Sequence, residues 1–547
     1  MHFYSFGDPI FEMGGLELSV QVITTVNTYG LAAEACRLQT EEGRWHLVAD
    51  RLMWAGNQER AAGHVELVAT RQGERLILSG SAEATEPIRC FKIILHRLPL
   101  CTVYDSLGDQ RFWGMGGERT VPAEGLVSTY PGVTAPVWAL QRDGKPWLSF
   151  RSQDREVRPK RFAAYREGPG IAVELISEED ARHWDHDLSL PEWVVEPASI
   201  ETALRSHAAF LEAECGLQRW EARCDVTAWA RDISLVISIH GMHWCGYIFN
   251  TYARALEIVD WVCQRIDGRR VLVFLPGWEG RYYWQYGDYR PEPRLGGPEG
   301  FARLCAGVRA RGAHLMPMFG ANCANATFAN FPAFGPQSPI LSGTRLVFQG
   351  NRPDWDLSRS GDTGWQAWLN PGAPAWQNEL VRQISNLVTR YGFDAVFFDT
   401  TETWDNDPDH AVFEGVQQLA TRLRQAHPQL LLTAECWWDR MLGVFPAFHA
   451  PPPGPGAWMA DYARRWAHLC EAEPSRGSTG VHELGYTPYI EQELSPGYWP
   501  TISFVEDTLE KAQPKIEEVI ALAKEHAVRF LGPLPSEQAE ADGQLEP

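Results

Sequence analysis

The chain has 547 residues, which is enough for two or three domains, and its apolar fraction of 44% and charged fraction of 22% are typical of a globular protein. The net charge of −21, from 70 acidic and 49 basic residues, disfavours nucleic acid and an anionic membrane surface as partners. No apolar run is long enough to span a membrane, and the N-terminus lacks the basic and apolar regions of a signal peptide. With 11 scattered cysteines and no Cys-x-x-Cys pair, the sequence predicts a cytoplasmic protein whose thiols are reduced.

Residues 1–197 are predicted to form an N-terminal β-sandwich domain followed by a linker. Apolar and polar residues alternate from Leu16 to Val22, which is the period of a half-buried strand. The segment from Asp185 to Pro197 is predicted to be the linker, and a helix is predicted over 199–214. Hairpin signals separate the apolar runs of the sandwich, at Gln72-Gly73, Asp143-Gly144 and Gly168-Pro169-Gly170.

Residues 198–534 change to an alternation of apolar strands and amphipathic helices, so the fold class is multidomain, β plus α/β. A TIM (β/α)8-type barrel is preferred to a doubly wound sheet, because long aromatic-rich insertions follow the strand C-termini and no Gly-rich phosphate-binding motif is present. The first three predicted strands are 235–239, 271–275 and 314–319, and the helices after them are 252–266, 298–311 and 375–390. The later candidates are strands at 479–482, 501–505 and 529–531, a helix over 516–526, and a loose C-terminal tail over 535–547.

Two further predicted strands each end on a carboxylate. The first runs from Tyr391 to Asp399, and the second runs from Leu430 to Glu435. An amphipathic helix is predicted between them, over 411–427, so that the three elements form a parallel crossover unit. Because the C-terminal ends of neighbouring barrel strands face one cavity, we expect Asp399 and Glu435 to lie in the same pocket.

This pair of carboxylates is typical of a retaining glycosidase, in which the two carboxyl groups lie about 5 Å apart and flank the glycosidic bond. Asp399 is short and ends an apolar strand, which suits a fixed nucleophile. Glu435 is followed by Trp437 and Trp438, where desolvation is expected to raise its pKa and to favour the role of proton donor. The alternative for both residues is a structural carboxylate that caps a helix or pairs with an arginine.

The order of an aspartate after the fourth strand and a glutamate after the fifth resembles the α-amylase superfamily and glycoside hydrolase families 101 and 129, which act on α-N-acetylgalactosaminides. The segments from Leu275 to Gly280 and from Met316 to Phe319 are similar to that group as well. The resemblance implies an α-retaining glycoside hydrolase that acts on a carbohydrate without an organic cofactor, with Asp399 as the nucleophile and Glu435 as the general acid/base. The sequence has Phe397 where amylases have an arginine, and it lacks their His-Asp pair after strand seven, which argues against starch as the substrate.

Side chains at the other predicted strand ends are candidates for binding the sugar. Tryptophan rings stack on sugar faces, and amide, carboxylate and imidazole groups hydrogen-bond to hydroxyls. For each candidate an ordinary loop contact is the alternative, and Glu402 is also a rival for either catalytic role. In chain order the substrate-binding candidates are His240, His243, Trp278, Glu279, Trp284, Asn322, Glu402, Trp404, Trp437 and Trp438.

Two segments carry weaker signals for a metal ion. His240 and His243 with Cys245 have a spacing that suits zinc, but a clear fourth ligand is missing, so no metal site is assigned. The acidic run from Asp405 to Asp409 lacks the glycine and the closing glutamate of a calcium loop, and an isolated calcium site there stays open beside a solvated loop. Two other functions also stay open: a non-catalytic carbohydrate-binding barrel, and a metal-dependent barrel lyase or isomerase centred on the two histidines.

Overall fold

A computed structural model describes residues 7–106, 118–121, 125–243, 246–281, 284–348, 365–401, 403–435, 438–449, 455–467 and 493–534. They form an antiparallel β domain followed by a parallel barrel with helices, so the fold class predicted from the sequence is confirmed. The candidate strand 479–482 and the tail 535–547 lie outside these residues. Within the described ranges, no helix is long and apolar enough to cross a membrane.

The β domain is one continuous antiparallel sheet that wraps around an apolar core. In chain order its described strands are β1 (Phe11–Met13), β2 (Leu16–Thr24), β3 (Thr28–Leu31), β4 (Cys36–Glu41), β5 (Arg44–Trp54), β6 (Glu59–Gln72), β7 (Arg75–Ala84), β8 (Ile88–Leu98), β9 (Thr102–Asp105), β10 (Glu118–Thr120), β11 (Leu126–Tyr130), β12 (Val137–Arg142), β13 (Lys145–Ser152), β14 (Lys160–Glu167), β15 (Gly170–Glu178) and β16 (Asp187–Glu196). The predicted hairpins are present, and Asp143 and Gly144 in the β12–β13 turn have φ values of 52° and 73°, as a two-residue hairpin turn requires. The alternation in β2 places apolar side chains in the core, but Ser19 and Gln21 on its other face are fully buried too.

The segment predicted to be a linker, 185–197, is instead occupied by a strand of this sheet. β16 pairs with β13 on one side and with β7 on the other. Leu188, Leu190 and Trp193 belong to the domain core, so their burial is that of an inner strand. The pairing shifts register between Leu190 and Trp193, and Pro191 lies at this bulge, where a proline is tolerated within a sheet.

The second sheet is a closed parallel barrel. Its described strands are β17 (Leu235–Ile239), β18 (Val271–Leu275), β19 (His314–Gly320), β22 (Ala395–Asp399), β23 (Leu431–Ala434), β24 (Ala447–His449), β25 (Arg464–Trp466), β26 (Tyr498–Trp499) and β27 (Thr501–Phe504), while β20 (Cys323–Asn325) and β21 (Gln366–Trp368) form a small antiparallel pair outside it. The nine barrel strands pair in the order β26-β25-β24-β23-β22-β19-β18-β17-β27, so β26 and β27 lie at the two ends of the hydrogen-bonded series. Because only Pro500 separates β26 from β27, the two act as one interrupted strand that closes a barrel of eight positions.

Helices follow the first four strands of the barrel and its last strand. The described helices are α1 (Ile200–Cys215), α2 (Tyr252–Cys263), α3 (Gly297–Ala310), α4 (Pro374–Tyr391), α5 (Val412–Ala426), α6 (Thr508–Lys511) and α7 (Gln513–His526). Thr251 caps α2 by accepting the N–H of Arg254, and Gly392 ends α4 in the left-handed conformation. After β23 and β24 the described connections contain 3₁₀ turns instead of α-helices, and α1 packs beside the second turn, at 455–461.

The candidate strand at 529–531 is wrong, whereas that at 501–505 is confirmed as β27. Residues 529–531 belong to a π-helical turn, Ala527–Leu531, that continues α7. The barrel is already closed by β27, and the side chains of Val528 and Phe530 are exposed, so this segment has neither a strand partner nor a buried face in the described sheet.

Aromatic side chains fill the barrel interior. Phe397 of β22 lies 4.6 Å from Phe274 of β18 and 5.9 Å from Trp466 of β25, measured between ring centroids. Trp466 in turn stacks on Trp499 of β26 at 6.2 Å. The interior is therefore a packed core, and polar side chains that meet a ligand are expected only at the strand ends.

Candidate active site

Asp399 and Glu435 end neighbouring strands at the carboxyl-terminal mouth of the barrel. Asp399 is the last residue of β22, and Glu435 directly follows β23. The backbone N–H of Glu435 donates to the carbonyl of Phe398 at 2.8 Å, and Gly320 of β19 lies opposite Asp399. The strand register therefore brings the two carboxylates to the same level of the barrel.

Asp399 is fully buried and is held by a tyrosine. The hydroxyl of Tyr286, from the loop between β18 and α3, donates to Oδ2 of Asp399 at 2.5 Å. The ring of Tyr286 lies against Gly320, where a Cβ atom would come within 2.3 Å of it, so a glycine is needed at this position. Tyr289 fixes the same strand end, because its hydroxyl accepts the N–H of Gly320 at 2.8 Å. The candidate nucleophile is thus ordered by side chains of the barrel itself.

Thr400 connects the two carboxylates. Its backbone N–H donates to Oε2 of Glu435 at 2.8 Å, and its hydroxyl donates to the carbonyl of Asp399 at 2.6 Å. The hydroxyl also accepts the N–H of Asn322 at 3.2 Å. Thr400 has a φ of 65°, a left-handed conformation that β-branched residues rarely adopt and that costs about 1–3 kcal/mol. The hydrogen bonds hold the strained residue, and its N–H is thereby aimed at Glu435.

Glu435 is more accessible than Asp399. Its side chain is 14% exposed, whereas Asp399 has no accessible surface. Nε2 of His449, the last residue of β24, lies 3.8 Å from Oε1 of Glu435. The His449 ring is buried against Phe397, at a centroid distance of 4.6 Å. A carboxyl group that reaches solvent can exchange protons with water, which a general acid/base must do.

Two of the predicted binding residues carry buried polar atoms that lack a hydrogen-bond partner within the described chain. Glu279, which follows β18, is fully buried, and neither carboxyl oxygen makes a hydrogen bond. Burial raises the pKa of Glu279 well above its ordinary value, and the negative charge of Asp399 adds to the shift, so the site favours the neutral form of Glu279. Asn322 donates from Nδ2 to the carbonyl of Thr403 at 2.9 Å, while its Oδ1 has no partner. Unsatisfied buried atoms are costly, and at a barrel mouth they suit a polar ligand.

Trp278 and Trp438, both predicted to bind sugar, are packing residues. Trp278 stacks on Phe301 at a centroid distance of 4.9 Å and donates from Nε1 to the carbonyl of Met318 at 2.9 Å. Trp438 packs edge-on against Tyr130 of the β domain at 6.0 Å. Both indoles are buried, and Trp278 has no accessible surface, so packing leaves no face of Trp278 for a sugar ring.

Trp284 and Trp404 are half-buried and keep accessible surface. Trp284 lies 5.2 Å from Trp365, and the guanidinium of Arg281 lies 4.7 Å from the centroid of its ring. The side chain of Asn325 donates to the carbonyl of Trp284 at 2.8 Å and so fixes this part of the loop. A half-buried indole on a fixed loop can stack on a sugar, so these two rings remain the better candidates for that contact.

The two histidines of the zinc hypothesis lie in different environments. His240 is buried, and its Nε2 is 3.2 Å from the hydroxyl oxygen of Ser238. His243 is half-buried and packs against Phe249 at 5.8 Å. Cys245 lies outside the described residues. Among those that are described, no group of three or more His, Cys, Asp or Glu side chains could hold a metal ion.

The acidic run from Asp405 to Asp409 makes hydrogen bonds within the protein. The buried carboxylate of Asp407 accepts backbone N–H groups from Leu341 and Asp409, both at 2.8 Å. Asp409 pairs with Arg345 at 2.7 Å. These contacts give the acidic side chains a structural role in ordering the loop after β22.

Glu402 and Trp437 lie outside the described residues. Three other residues at the site escape the sequence analysis: Tyr286, Thr400 and His449. Tyr286 belongs to the aromatic insertion after the second strand, and that enrichment is its only signal. Thr400 is distinguished by its backbone conformation, and His449 ends a strand of three residues, which is too short for a recognisable pattern.

The sequence matches no protein-family model, and no curated protein matches it either. Solved structures do share its fold. The α-N-acetylgalactosaminidase NagBb from Bifidobacterium bifidum, free of ligand, matches with a TM-score of 0.65 at 12% identity, over 95% of this chain and 93% of that one. Its GalNAc complex gives 0.64 at 13% identity, over 96% and 94%. The GH36 α-galactosidase AgaA from Geobacillus stearothermophilus gives 0.54 at 13% identity, over 95% and 77%. The resemblance to α-retaining glycosidase barrels is therefore confirmed at the level of the fold.

Proposed function

We propose that the chain is an α-glycoside hydrolase that retains configuration, with Asp399 as the nucleophile and Glu435 as the general acid/base. The observation that carries this proposal is the hydrogen bond from the N–H of Thr400 to Glu435, because it ties the residue after the candidate nucleophile to the candidate acid/base. The shared fold with an α-N-acetylgalactosaminidase and an α-galactosidase supports it. The full burial of Asp399 suits a nucleophile, and the partial exposure of Glu435 suits a group that exchanges protons with water.

Each catalytic step has a defined role for the two carboxyl groups. In the first step, Asp399 attacks the anomeric carbon, the bond to the leaving oxygen breaks, and Glu435 gives its proton to that oxygen. In the second step, Glu435 takes a proton from water, whose oxygen displaces Asp399 from the anomeric carbon. The hydroxyl of Tyr286 orients Asp399 and favours its ionised form. Two inversions at the same carbon give overall retention.

The proposed substrate is an α-linked sugar of galacto configuration, with or without a 2-acetamido group. The names of the structural neighbours support this choice, since they are an α-N-acetylgalactosaminidase and an α-galactosidase. Glu279 and Asn322 would hydrogen-bond to sugar hydroxyls, because their buried polar atoms have no partner in the described chain. Trp284 and Trp404 would contact a ring face. His240 and His243, which follow β17, would line the part of the pocket beside that strand.

A panel of aryl α- and β-glycosides tests reaction and substrate together. We expect release from an α-galactoside or an α-N-acetylgalactosaminide, with the α-anomer of the free sugar appearing first in proton NMR spectra. Release should be lost for every glycoside in Asp399→Asn, and mainly for glycosides with a poor leaving group in Glu435→Gln. Asp394→Asn is the matched control, because Asp394 precedes the other end of β22, and it should stay active. First appearance of the β-anomer, or full activity of Asp399→Asn, would contradict the proposal.

The same panel separates catalysis from binding. If every glycoside stays intact while calorimetry shows a sugar bound by both the wild type and Asp399→Asn, the chain is a non-catalytic carbohydrate-binding barrel. If a chelator abolishes an activity that both carboxylate variants retain, the chemistry is metal-dependent. Either result replaces the hydrolase proposal.

A further inference from the structure

Asp399 and Glu279 are two buried carboxyl groups at the same mouth of the barrel. Glu279 follows β18 and Asp399 ends β22, and neither side chain has accessible surface. Burial raises the pKa of Glu279 well above its ordinary value, and the charge of Asp399 raises it further. Two carboxylates that repel each other in a dry site cannot both ionise without a large cost. Burial and repulsion therefore both favour a state in which one of the two groups keeps its proton.

The hydrogen bonds of the two groups decide which one carries that proton. Asp399 accepts the hydroxyl of Tyr286 at 2.5 Å, and a donated hydrogen bond favours the charged form of a carboxyl group. Neither oxygen of Glu279 accepts a hydrogen bond from the described chain. Its own backbone N–H is close enough to lower the pKa, but burial outweighs that effect. The asymmetry favours the charge on Asp399 and the proton on Glu279.

The other groups around Glu279 do not compensate a charge on it. Glu292, on the loop after β18, is negative and also raises the pKa of Glu279, while its own cationic partner is Arg294 at 2.6 Å. The phenols of Tyr252 on α2 and Tyr289 on the same loop interact electrostatically with Glu279, and burial raises the pKa of both, so their neutral forms are favoured. Within the described chain, the charges that act on Glu279 are negative.

We propose that Asp399 and Glu279 hold one proton between them, that this proton resides on Glu279, and that the site binds and cleaves its substrate only in this state. The idea rests on the proposed function, since it takes Asp399 as the nucleophile. With the proton in place, Asp399 is free to attack and Glu279 offers an O–H donor to the sugar. When the proton leaves, the donor is lost, and the doubly charged site draws in water or a cation that competes with the sugar.

The kinetic test is the pH dependence of kcat/KM for an activated aryl α-glycoside, whose good leaving group makes little demand on the proton of Glu435. We expect the wild type to lose about tenfold per pH unit above the pKa of the pair. Glu279→Gln keeps an N–H donor but cannot ionise, so its profile should lack this alkaline limb. An unchanged limb in Glu279→Gln overturns the proposal. Asp394→Asn should keep the wild-type profile.

A second test needs no hydrolysis, so it separates failure of this proposal from failure of the proposed function. At neutral pH the wild type should show the infrared carbonyl band of a buried, protonated carboxyl group, and this band should disappear in Glu279→Gln. Unfolded Glu279 releases its proton above its ordinary pKa while the folded protein retains it, so the wild type loses stability as pH rises from that value through the raised folded pKa. Glu279→Gln should therefore gain stability over the wild type at about pH 7 relative to about pH 4. A wild type without the band overturns the proposal whether or not the protein is active.

The shared proton also predicts an interaction between Tyr286 and Glu279. Tyr286→Phe removes the donor that keeps the charge on Asp399, so part of the proton moves to Asp399 and kcat/KM falls. In the Glu279→Gln background no second carboxyl group competes, and the same change should cost less by roughly threefold or more. Equal losses in the two backgrounds would contradict a shared proton.

Discussion

The ends of the fourth and fifth barrel strands carry the same chemical group in different surroundings. Asp399, at the end of β22, is fully buried and accepts a hydrogen bond from the side chain of Tyr286. Glu435, after β23, is 14% exposed and accepts a hydrogen bond from the backbone N–H of Thr400. The carboxyl group of Asp399 is therefore held away from solvent by a loop of the barrel, whereas that of Glu435 is accessible to water.

The chain beyond Glu435 is held by the β domain and by α1. Asp439 accepts the hydroxyl of Tyr130 from the end of β11 at 2.7 Å and lies 2.6 Å from Nε2 of His207 on α1. Its backbone N–H donates to the carbonyl of Thr134 at 2.7 Å. All of these side chains are buried. Asp399 is ordered by the barrel's own loops, whereas the chain that follows Glu435 is anchored through Asp439 by contacts with the β domain and α1.

This difference matches the roles proposed for the two carboxyl groups. A nucleophile acts best when its position is fixed and water is excluded, because its charge is then not dispersed into solvent. A general acid/base must give up and recover a proton in each turnover, and that requires some access to water. The β domain is thus part of the architecture of the candidate site, although it supplies neither carboxylate.

Removal of each carboxylate in turn should give the largest effect and should separate the two ends. Asp399→Asn removes the proposed nucleophile, so kcat/KM is expected to fall on the order of 10⁴-fold for every leaving group. Glu435→Gln removes only the proton, so the loss is expected to be roughly 10²–10⁴-fold for a poor leaving group and much smaller for an activated one. The measurement is kcat/KM across aryl glycosides of increasing leaving-group acidity. A uniform loss in Glu435→Gln would assign it a structural role.

Tyr286→Phe should weaken the nucleophile end alone. A hydrogen bond to a charged group contributes about 1.5–3 kcal/mol, so kcat is expected to fall about 10–100-fold while KM changes little. The matched control is Tyr289→Phe, which loses a bond to the backbone of Gly320 and leaves Asp399 untouched. Its loss of kcat should be clearly smaller. Similar losses in the two variants would mean that both tyrosines only support the loop.

Tyr130→Phe should disturb the acid/base end through the domain contact. It removes a donor from buried Asp439, which is expected to lower the free energy of unfolding by about 1–3 kcal/mol in urea titrations. A disturbance of about 1 kcal/mol at Glu435 corresponds to a roughly fivefold loss of kcat/KM, expected for poor leaving groups only. Tyr104→Phe removes a hydroxyl bonded to Gln141 within the β domain and is the control. If it changes the leaving-group dependence equally, the effect is not specific to the interface.

Much of the barrel could be predicted from the sequence where the local signals are strong. β22, α5 and β23 have clear periods, and Pro428 stops the helix just before the second strand. By contrast, β24 and β25 have three residues each, so no pattern marks them. The strand β16 is hidden because its bulge at Pro191 interrupts the alternation of apolar residues.

The candidate site also contains residues that local sequence patterns locate and residues that only tertiary contacts place. The positions of Asp399 and Glu435 follow from strand ends, which periodicity locates, and so they could be predicted. The contact of Tyr286 with Asp399 depends on a loop folding back over Gly320, and no local pattern encodes that. The burial of Trp278 likewise depends on Phe301 of a helix that packs outside the barrel. Residues defined by tertiary contacts are therefore the ones that sequence reasoning misses or misplaces.

Thr400 joins the two ends and allows the smallest and most selective test of their difference. Thr400→Val keeps a branched Cβ at a φ of 65° and loses the hydroxyl hydrogen bonds, whereas Thr400→Gly loses the same bonds but releases the strain. The left-handed conformation costs about 1–2 kcal/mol with a Cβ, and glycine flexibility costs about 0.5–1 kcal/mol, so Thr400→Gly is expected to be the more stable variant by about 1 kcal/mol or less. Activity should rank the other way for poor leaving groups, because glycine samples both signs of φ and its N–H is no longer aimed at Glu435. If Thr400→Gly is both more stable and at least as active, the strain at Thr400 does not serve to align the acid/base.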